Sequence, residues 1–486
     1  MMCRLLLFLS MGAFVLHVQG QSCATVGRGN ATFEVNSDSS GVNVTVGGLQ
    51  LLKHTTSNPM LYVGSGQDTV SELIGNFFMN EYTYERVGLT NFTVQQQGSG
   101  IYNLHLSFCE FWITLRLSPG EKTPLVVNVA DSSNNFNRVW LRVPAAGPGE
   151  HVYGGGEQFS YLDLRGRLFP IWTREQGVGR NKSAVVTFFA DQLGKAGGDY
   201  YTTYFAQPTW LTSKNYFIHY TGSNYAELDF RHPDFYEMYI EGAPESWHFQ
   251  VQPSMKNLVS CLTDLFGRMS TLPTWLYSGA ILGVQGGTET MLNRLKQAQD
   301  ANISVAGLWI QDWSGTRTTR FGTRVNWNWQ WDPSHYPNLN STIATLKESG
   351  VRVLAYINPN LDTRGDLYRT ALAHGYLVRN SKTNSTYHVF FGEFRCGIVD
   401  FTNPDAFNWY KNDVIKKNMI KLGLGGWMAD FGEYLPVDAL LHSGDAKLMH
   451  NQWPRIWAKL NHEAVQEMGE AANDVVFFSR SGFSGE

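Results

Sequence analysis

The chain has 486 residues, 43% of them hydrophobic, and 38 lysines and arginines against 42 aspartates and glutamates, a formal charge of −4. That balance excludes the basic excess of a nucleic-acid binder. Charged residues make up 16% and aromatics 14%, with 48 glycines; this excludes disorder and coiled coil and leaves a large, aromatic-rich globular protein of two or more domains.

At the N-terminus, Arg4 precedes an apolar run from Leu5 to Leu16, and Val18 and Gly20 occupy the small positions of a cleavage site. Residues 1–20 therefore read as a signal peptide. The run falls short of the ~20 apolar residues that span a bilayer, and no later segment comes close, so no transmembrane segment is expected. Removing the leader leaves Cys23, Cys109, Cys261 and Cys396, an even set that permits bridges in an oxidising compartment. Their wide spacing excludes a zinc framework, and nothing implies a metal or another cofactor. Acceptor sequons at Asn30, Asn43, Asn91, Asn181, Asn302, Asn340 and Asn384 agree with secretion or residence in the endomembrane lumen, and with glycosylation.

Residues 21–255 read as an N-terminal β-sandwich. GVNVTVGGLQLL, NLHLSFCEFWITLRL and TPLVVNVADSS alternate with period two between Gly, Asn and Ser turns, and no long helical pattern interrupts them. Between about 255 and 272 the rhythm changes to buried apolar runs alternating with helical stretches, the pattern of a parallel sheet. Strands are expected at Gly279–Gln285, Val305–Gln311, Val351–Asn358, Gly425–Asp430 and Val475–Arg480. One helix between them has Asn403 as cap, Pro404 at the first position, a stripe of Phe407, Tyr410 and Val414, and Gly423 at its close. Residues 359–402 read as an insertion. Five such units over 272–486 point to an incomplete (β/α)8 barrel, multidomain α/β plus β overall, that lacks its last three units.

Barrel active sites form where polar residues end buried strands, because those ends converge on one mouth. Here the ends carry Gln285, Gln311 with Asp312, Asn358, Asp430 and Arg480. A carboxylate after the apolar run from Gly425 to Ala429 is costly to bury without a partner or a task. The alternative, an N-cap for a following helix, fits less well because Phe431, Gly432 and Glu433 extend the turn. Asp430-Phe431-Gly432 shares its letters with a magnesium-holding triplet of protein kinases, but no catalytic loop or strand lysine of that family accompanies it.

GGWMADFGEYLP, residues 425–436, resembles the nucleophile segment of glycoside hydrolase family 31, and GGGEQF at 154–159 resembles the sandwich loop that its members bring to the barrel mouth. More narrowly, QDWSGTRTTRFGTRVNWNW at 311–329 resembles the sulfoquinovosidases, α-glycosidases that cleave 6-sulfonated sugars. Their Gln, Gln, Arg, Trp signature is met by Gln285, Gln311, Arg324 and Trp327. The resemblance implies Asp430 as nucleophile of a retaining double displacement that requires two carboxyls about 5 Å apart. It also places Arg480 near the reacting sugar; a salt bridge across the mouth is the other reading. Gln285 and Gln311 would bind ring hydroxyls, and Asp312 and Glu433 would orient the others.

Arg324 and the Trp327 indole suit a sulfonate, a permanent anion with three acceptor oxygens. Arg317 and Arg320 lie in the same loop and are candidates to share that role, against the alternative that the loop is solvated surface. Trp313, Trp327, Trp329 and Trp331 interleave with these charges and offer faces for a sugar ring. The expected substrate is a carbohydrate, and the expected activity cleavage of α-sulfoquinovosides by the complete enzyme. The alternatives are an α-glucosidase or α-xylosidase of the same family and a non-catalytic secreted carbohydrate-binding protein. The acid/base aspartate is expected beyond residue 486, so the sequence reads as truncated at its C-terminal end and, as it stands, inactive.

Overall fold

The computed structural model describes residues 32–485, apart from 74, 75, 195, 320, 321 and 392. The leader, Cys23, the Asn30 sequon and Arg320 lie outside the described residues.

Two antiparallel sheets of six and eight strands face each other across residues 61–251. The alternation seen in the sequence accounts for their packing: Phe111–Ser118 turns every second side chain inward, and Ile113, Leu115 and Leu117 meet Val139, Leu141, Met238 and Ile240 of the other sheet in one core. GVNVTVGGLQLL becomes the strands Gly41–Val46 and Leu49–Thr55, joined at Gly47 and Gly48, both at positive φ as a tight hairpin turn demands. The helix Met255–Phe266, capped by Ser254, packs Leu258 and Cys261 against Phe217 of the sandwich. The four cysteines do not pair two by two: Cys109 and Cys396 are free and Cys261 is disulfide-bonded.

Ala280–Val284, Val305–Ile310, Arg352–Ile357, Gly426–Ala429 and Val476–Ser479 lie side by side in chain order, each parallel to the next. This is the strand sequence of a (β/α)8 barrel, with helices such as Gly287–Asp300 and Leu339–Glu348 packed outside. The insertion at 359–402 forms a three-stranded antiparallel sheet of Asn360–Asp362, His388–Phe390 and Arg395–Ile398 beside the helix Asp366–Ala373.

The Asn403-capped helix starts as expected, with the Asn403 side chain accepting from the Asp405 amide at 3.0 Å. It then winds as a π-helix from Tyr410 to Ile420, in which Tyr410 and Val414 of the expected stripe are buried together with Lys411, Ile415, Met419 and Ile420, while Phe407 packs half-buried against the same core.

Candidate active site

Each barrel strand ends one residue before the polar group read from the sequence, and the sheet register decides which of those groups become neighbours. Val284 lies opposite Ile310, so Gln285 and Gln311 emerge together, and the Gln285 amide donates to Gln311 Oε1 at 2.6 Å. Ala429 lies opposite Ile357 on one side and Ser479 on the other. Asp430 is thereby placed between Asn358 and Arg480.

Asp430 is 6% exposed. Its Oδ2 accepts from the Tyr356 hydroxyl, which Asn358 Nδ2 contacts from behind at 3.2 Å. Its Oδ1 lies 3.1 Å from Arg480 Nε, an ion pair by distance that lacks the alignment of a hydrogen bond. Burial first, and then the Asp430 charge, push the Tyr356 phenol well above its ordinary range, so it stays a donor. The backbone leaves the strand by a left-handed step at Phe431, φ 60°, followed by Gly432, φ 118°. A side chain at Gly432 would meet Ser481 Oγ at 2.5 Å and the Pro454 Cα at 3.1 Å, so this position requires glycine. That reversal, not a helix cap, follows Asp430 and leads into Glu433.

Glu433 is fully buried and forms an ion pair with Arg480. Its burial raises the carboxyl to about 7, against the pull of Arg480 and with the help of Glu175 and Asp430. Arg480 stacks over Phe431 at 4.2 Å and Tyr204 at 4.7 Å and reaches Glu175 at 3.6 Å. Burial alone would lower its proton affinity; Glu433, Asp430 and Glu175 more than reverse that. The salt-bridge reading of Arg480 holds in the geometry, since it pairs with Glu433, Asp430 and Glu175 across the mouth.

Asp312 is buried and ties the mouth together from below. Its oxygens accept from the Gly286 amide at 2.8 Å, His335 Nε2 at 2.6 Å and the Tyr336 hydroxyl at 2.5 Å, which fixes the turn after Gln285. The arginine-rich loop is a hairpin, Thr316–Thr319 paired with Gly322–Val325, in which Arg317 faces Arg324. Arg324 is exposed. Arg317 pairs with Asp362 and covers Phe394 at 4.2 Å. Trp327 packs against Phe431 at 5.2 Å, next to Asp430. Trp313 and Trp329 are not platforms for a sugar: both are fully buried and donate to the carbonyls of Tyr356 and Asn360. Trp331 likewise donates to Tyr336 O at 2.7 Å.

Sequence reasoning missed Tyr356, Glu175, Tyr204 and Tyr434. Glu175 and Tyr204 come from the sandwich, where a polar stretch carries no barrel periodicity. The glycine run at 154–156 serves them indirectly. A side chain at Gly156 would meet Phe205 O at 2.0 Å, so only glycine lets this strand approach Phe205, which in turn bridges to Gly482 beside Arg480. Among the described residues, Asp68, Glu81 and Glu241 are close enough to share a cation, but Arg138 and Lys447 already pair with them.

Residues 271–486 match the glycosyl hydrolases family 31 TIM-barrel domain. The chain is 45% identical over 437 residues to the sulfoquinovosidase of Escherichia coli (strain K12) and 42% identical over 461 residues to that of Agrobacterium fabrum. Those alignments take in 90% and 93% of this chain but only 64% and 66% of the relatives' own lengths. The fold matches a family 31 sulfoquinovosidase from E. rectale, solved with an aza-sugar inhibitor, at a TM-score of 0.88 and 41% identity, over 93% of this chain and 67% of that one. With identity at that level running through sandwich and barrel alike, the chain belongs to glycoside hydrolase family 31.

Proposed function

We propose that this protein carries the nucleophile and sugar pocket of a retaining α-glycosidase that cleaves α-sulfoquinovosides. The observation that carries the reading is Asp430, buried at a barrel strand end with Arg480 beside Oδ1 and the Tyr356 hydroxyl on Oδ2. These partners answer the carboxylate's charge and hold it for attack on an anomeric carbon at the mouth. The covalent glycosyl-enzyme then opens to water with retention. Glu433 and Glu175 are both committed to Arg480, so we assign neither as proton donor to the departing oxygen.

Gln285 and Gln311, joined amide to amide, offer neutral donors and acceptors to ring hydroxyls without repelling an anionic sugar. The exposed Arg324 and the Trp327 indole, three residues apart in the sequence, suit the sulfonate. The names of the relatives with 41–45% identity support that substrate class.

The test pairs an aryl α-sulfoquinovoside with its neutral glucoside analogue and compares the protein with Asp430→Asn. In an enzyme that spans the relatives' full length, turnover of the sulfonated substrate is expected, with a loss of at least roughly a thousandfold in the variant while binding persists. Near-normal turnover by Asp430→Asn would remove Asp430 from the mechanism, and equal use of both substrates would move the reading to a neutral-sugar glycosidase.

A further inference from the structure

We propose that Glu175, supplied by the sandwich, is a positioning residue of the barrel's reaction centre: it holds Arg480 in place and so sets the balance between Asp430 and Glu433. The inference rests on the proposed function only in taking Asp430 as the attacking group.

The backbone that carries Glu175 is fixed from two sides. Thr173 donates its amide and hydroxyl to Asn451 Oδ1 at 2.9 and 3.1 Å, and the Arg174 amide donates to Thr203 O at 3.0 Å. Both carboxylate oxygens are then oriented by phenols from different domains. Tyr204 of the sandwich donates to Oε1 at 2.6 Å, and Tyr434 of the barrel donates to Oε2 at 3.1 Å. Oε2 also lies 3.6 Å from Arg480 Nη2. A residue that served only to join the domains would not need its charge aimed at a buried guanidinium.

Charge counting shows what that aim accomplishes. Asp430, Glu433 and Glu175 share one guanidinium. Three phenols face them, Tyr356 on Asp430 and Tyr204 and Tyr434 on Glu175. Three carboxylates on one buried cation leave an excess of negative charge, so one of them binds a proton most readily. Glu433 is the group placed to do so: it is fully buried, and its Oε2 has no hydrogen-bond partner. Glu175 therefore acts at a distance in two ways. It draws one arm of Arg480 toward the sandwich, and its charge favours the proton on Glu433, which leaves the guanidinium's remaining charge for Asp430.

The test reads Glu433 directly. Its protonated carboxyl band is assigned in an infrared pH titration of the whole protein by its disappearance in Glu433→Gln. In Glu175→Gln the midpoint of that band should move to more acidic pH by about one pH unit, because a neighbouring negative charge is gone. Glu175→Asp, which keeps the charge but withdraws it by one methylene, should fall between the two and supplies the measurement if the Gln variant does not fold. An unmoved midpoint in a folded variant overturns the inference, even if that variant is less stable.

A second arm separates this inference from the proposed function. An activated α-glycosyl fluoride of the sulfonated sugar should label Asp430, seen as added intact mass that Asp430→Asn abolishes. The pH profile of labelling should shift in Glu175→Gln in the same direction as the infrared midpoint. Absent labelling with a shifted midpoint sinks the glycosidase reading and leaves the role of Glu175 standing; labelling with an unmoved midpoint does the reverse.

Discussion

Arg324 and Trp327 sit three residues apart, yet their surroundings make different demands on a substitution. Arg324 is exposed on a hairpin strand, whereas Trp327 is 8% exposed and wedged among Phe391, Phe394 and Phe431. If Arg324 reads the sulfonate, Arg324→Lys loses the forked geometry and should cost about 1–3 kcal/mol in kcat/KM for the sulfonated glycoside, with the neutral analogue unchanged. Trp327→Phe should weaken both substrates, since it disturbs the ring that backs Phe431 and the Asp430 turn. Equal losses on both substrates in Arg324→Lys would take the sulfonate away from that residue. Asp430 and Arg480 were legible in the sequence because an apolar strand seldom ends on a charge unless that charge has a partner or a task at the strand end. Trp313 and Trp329 were misread for a physical reason: a buried indole that donates to a backbone carbonyl and one that awaits a sugar look alike until burial is known. Glu175 left no trace, because its partners Tyr434 and Arg480 belong to the other domain.

At the scale of elements, the long helix Ala446–Gln466 does more than cover the sheet. Its Asn451 is fully buried between the domains, where it accepts from Thr173 and donates to Ile171 O and Ser223 O, each at 3.1 Å. Next to it, His450 stacks on Trp172 at 4.0 Å, and its two ring nitrogens face the carbonyls of Leu435 and Thr173. Asn451→Ala leaves a buried amide and two carbonyls without partners, and should cost about 3 kcal/mol of stability in denaturant titration. A loss below about 1 kcal/mol would mean that water replaces the side chain freely. Strand positions were readable to within a residue, since continuous apolar runs bounded by glycine and polar groups have little freedom. The π-helix was not, because its wider turn answers a tertiary demand: it turns Lys411 inward, where Glu463 and Glu467 hold it at 3.0 and 2.7 Å.

For the molecule as a whole, the two domains also meet in a charged cluster in which Lys447 of that helix joins Asp68 and Glu241 of the sandwich, beside buried Arg138. With Glu81, three carboxylates face two cations there, and burial lifts Glu241 to about 7 despite Lys447. A carboxyl raised on folding favours the native state below its unfolded value near 4.5 and loses that contribution as pH rises through 7. Relative to Glu241→Gln, the wild type should therefore lose melting temperature between about pH 4.5 and 8, measured as the difference between the two proteins across that window. A constant difference would show that Glu241 does not hold the proton. The Thr173–Asn451 contact, which fixes the Glu175 backbone, has a further consequence for how the protein is made. Its two ends lie 278 residues apart. At about 5–20 residues per second on a ribosome, the first end waits roughly a quarter of a minute to a minute for the second. Through that interval the sandwich carries an unanswered interface, with Glu175 and Tyr204 apart from Tyr434 and Arg480. The junction around Arg480 therefore closes only after both halves have emerged, and its yield depends on how well the early half resists aggregation until the late half follows.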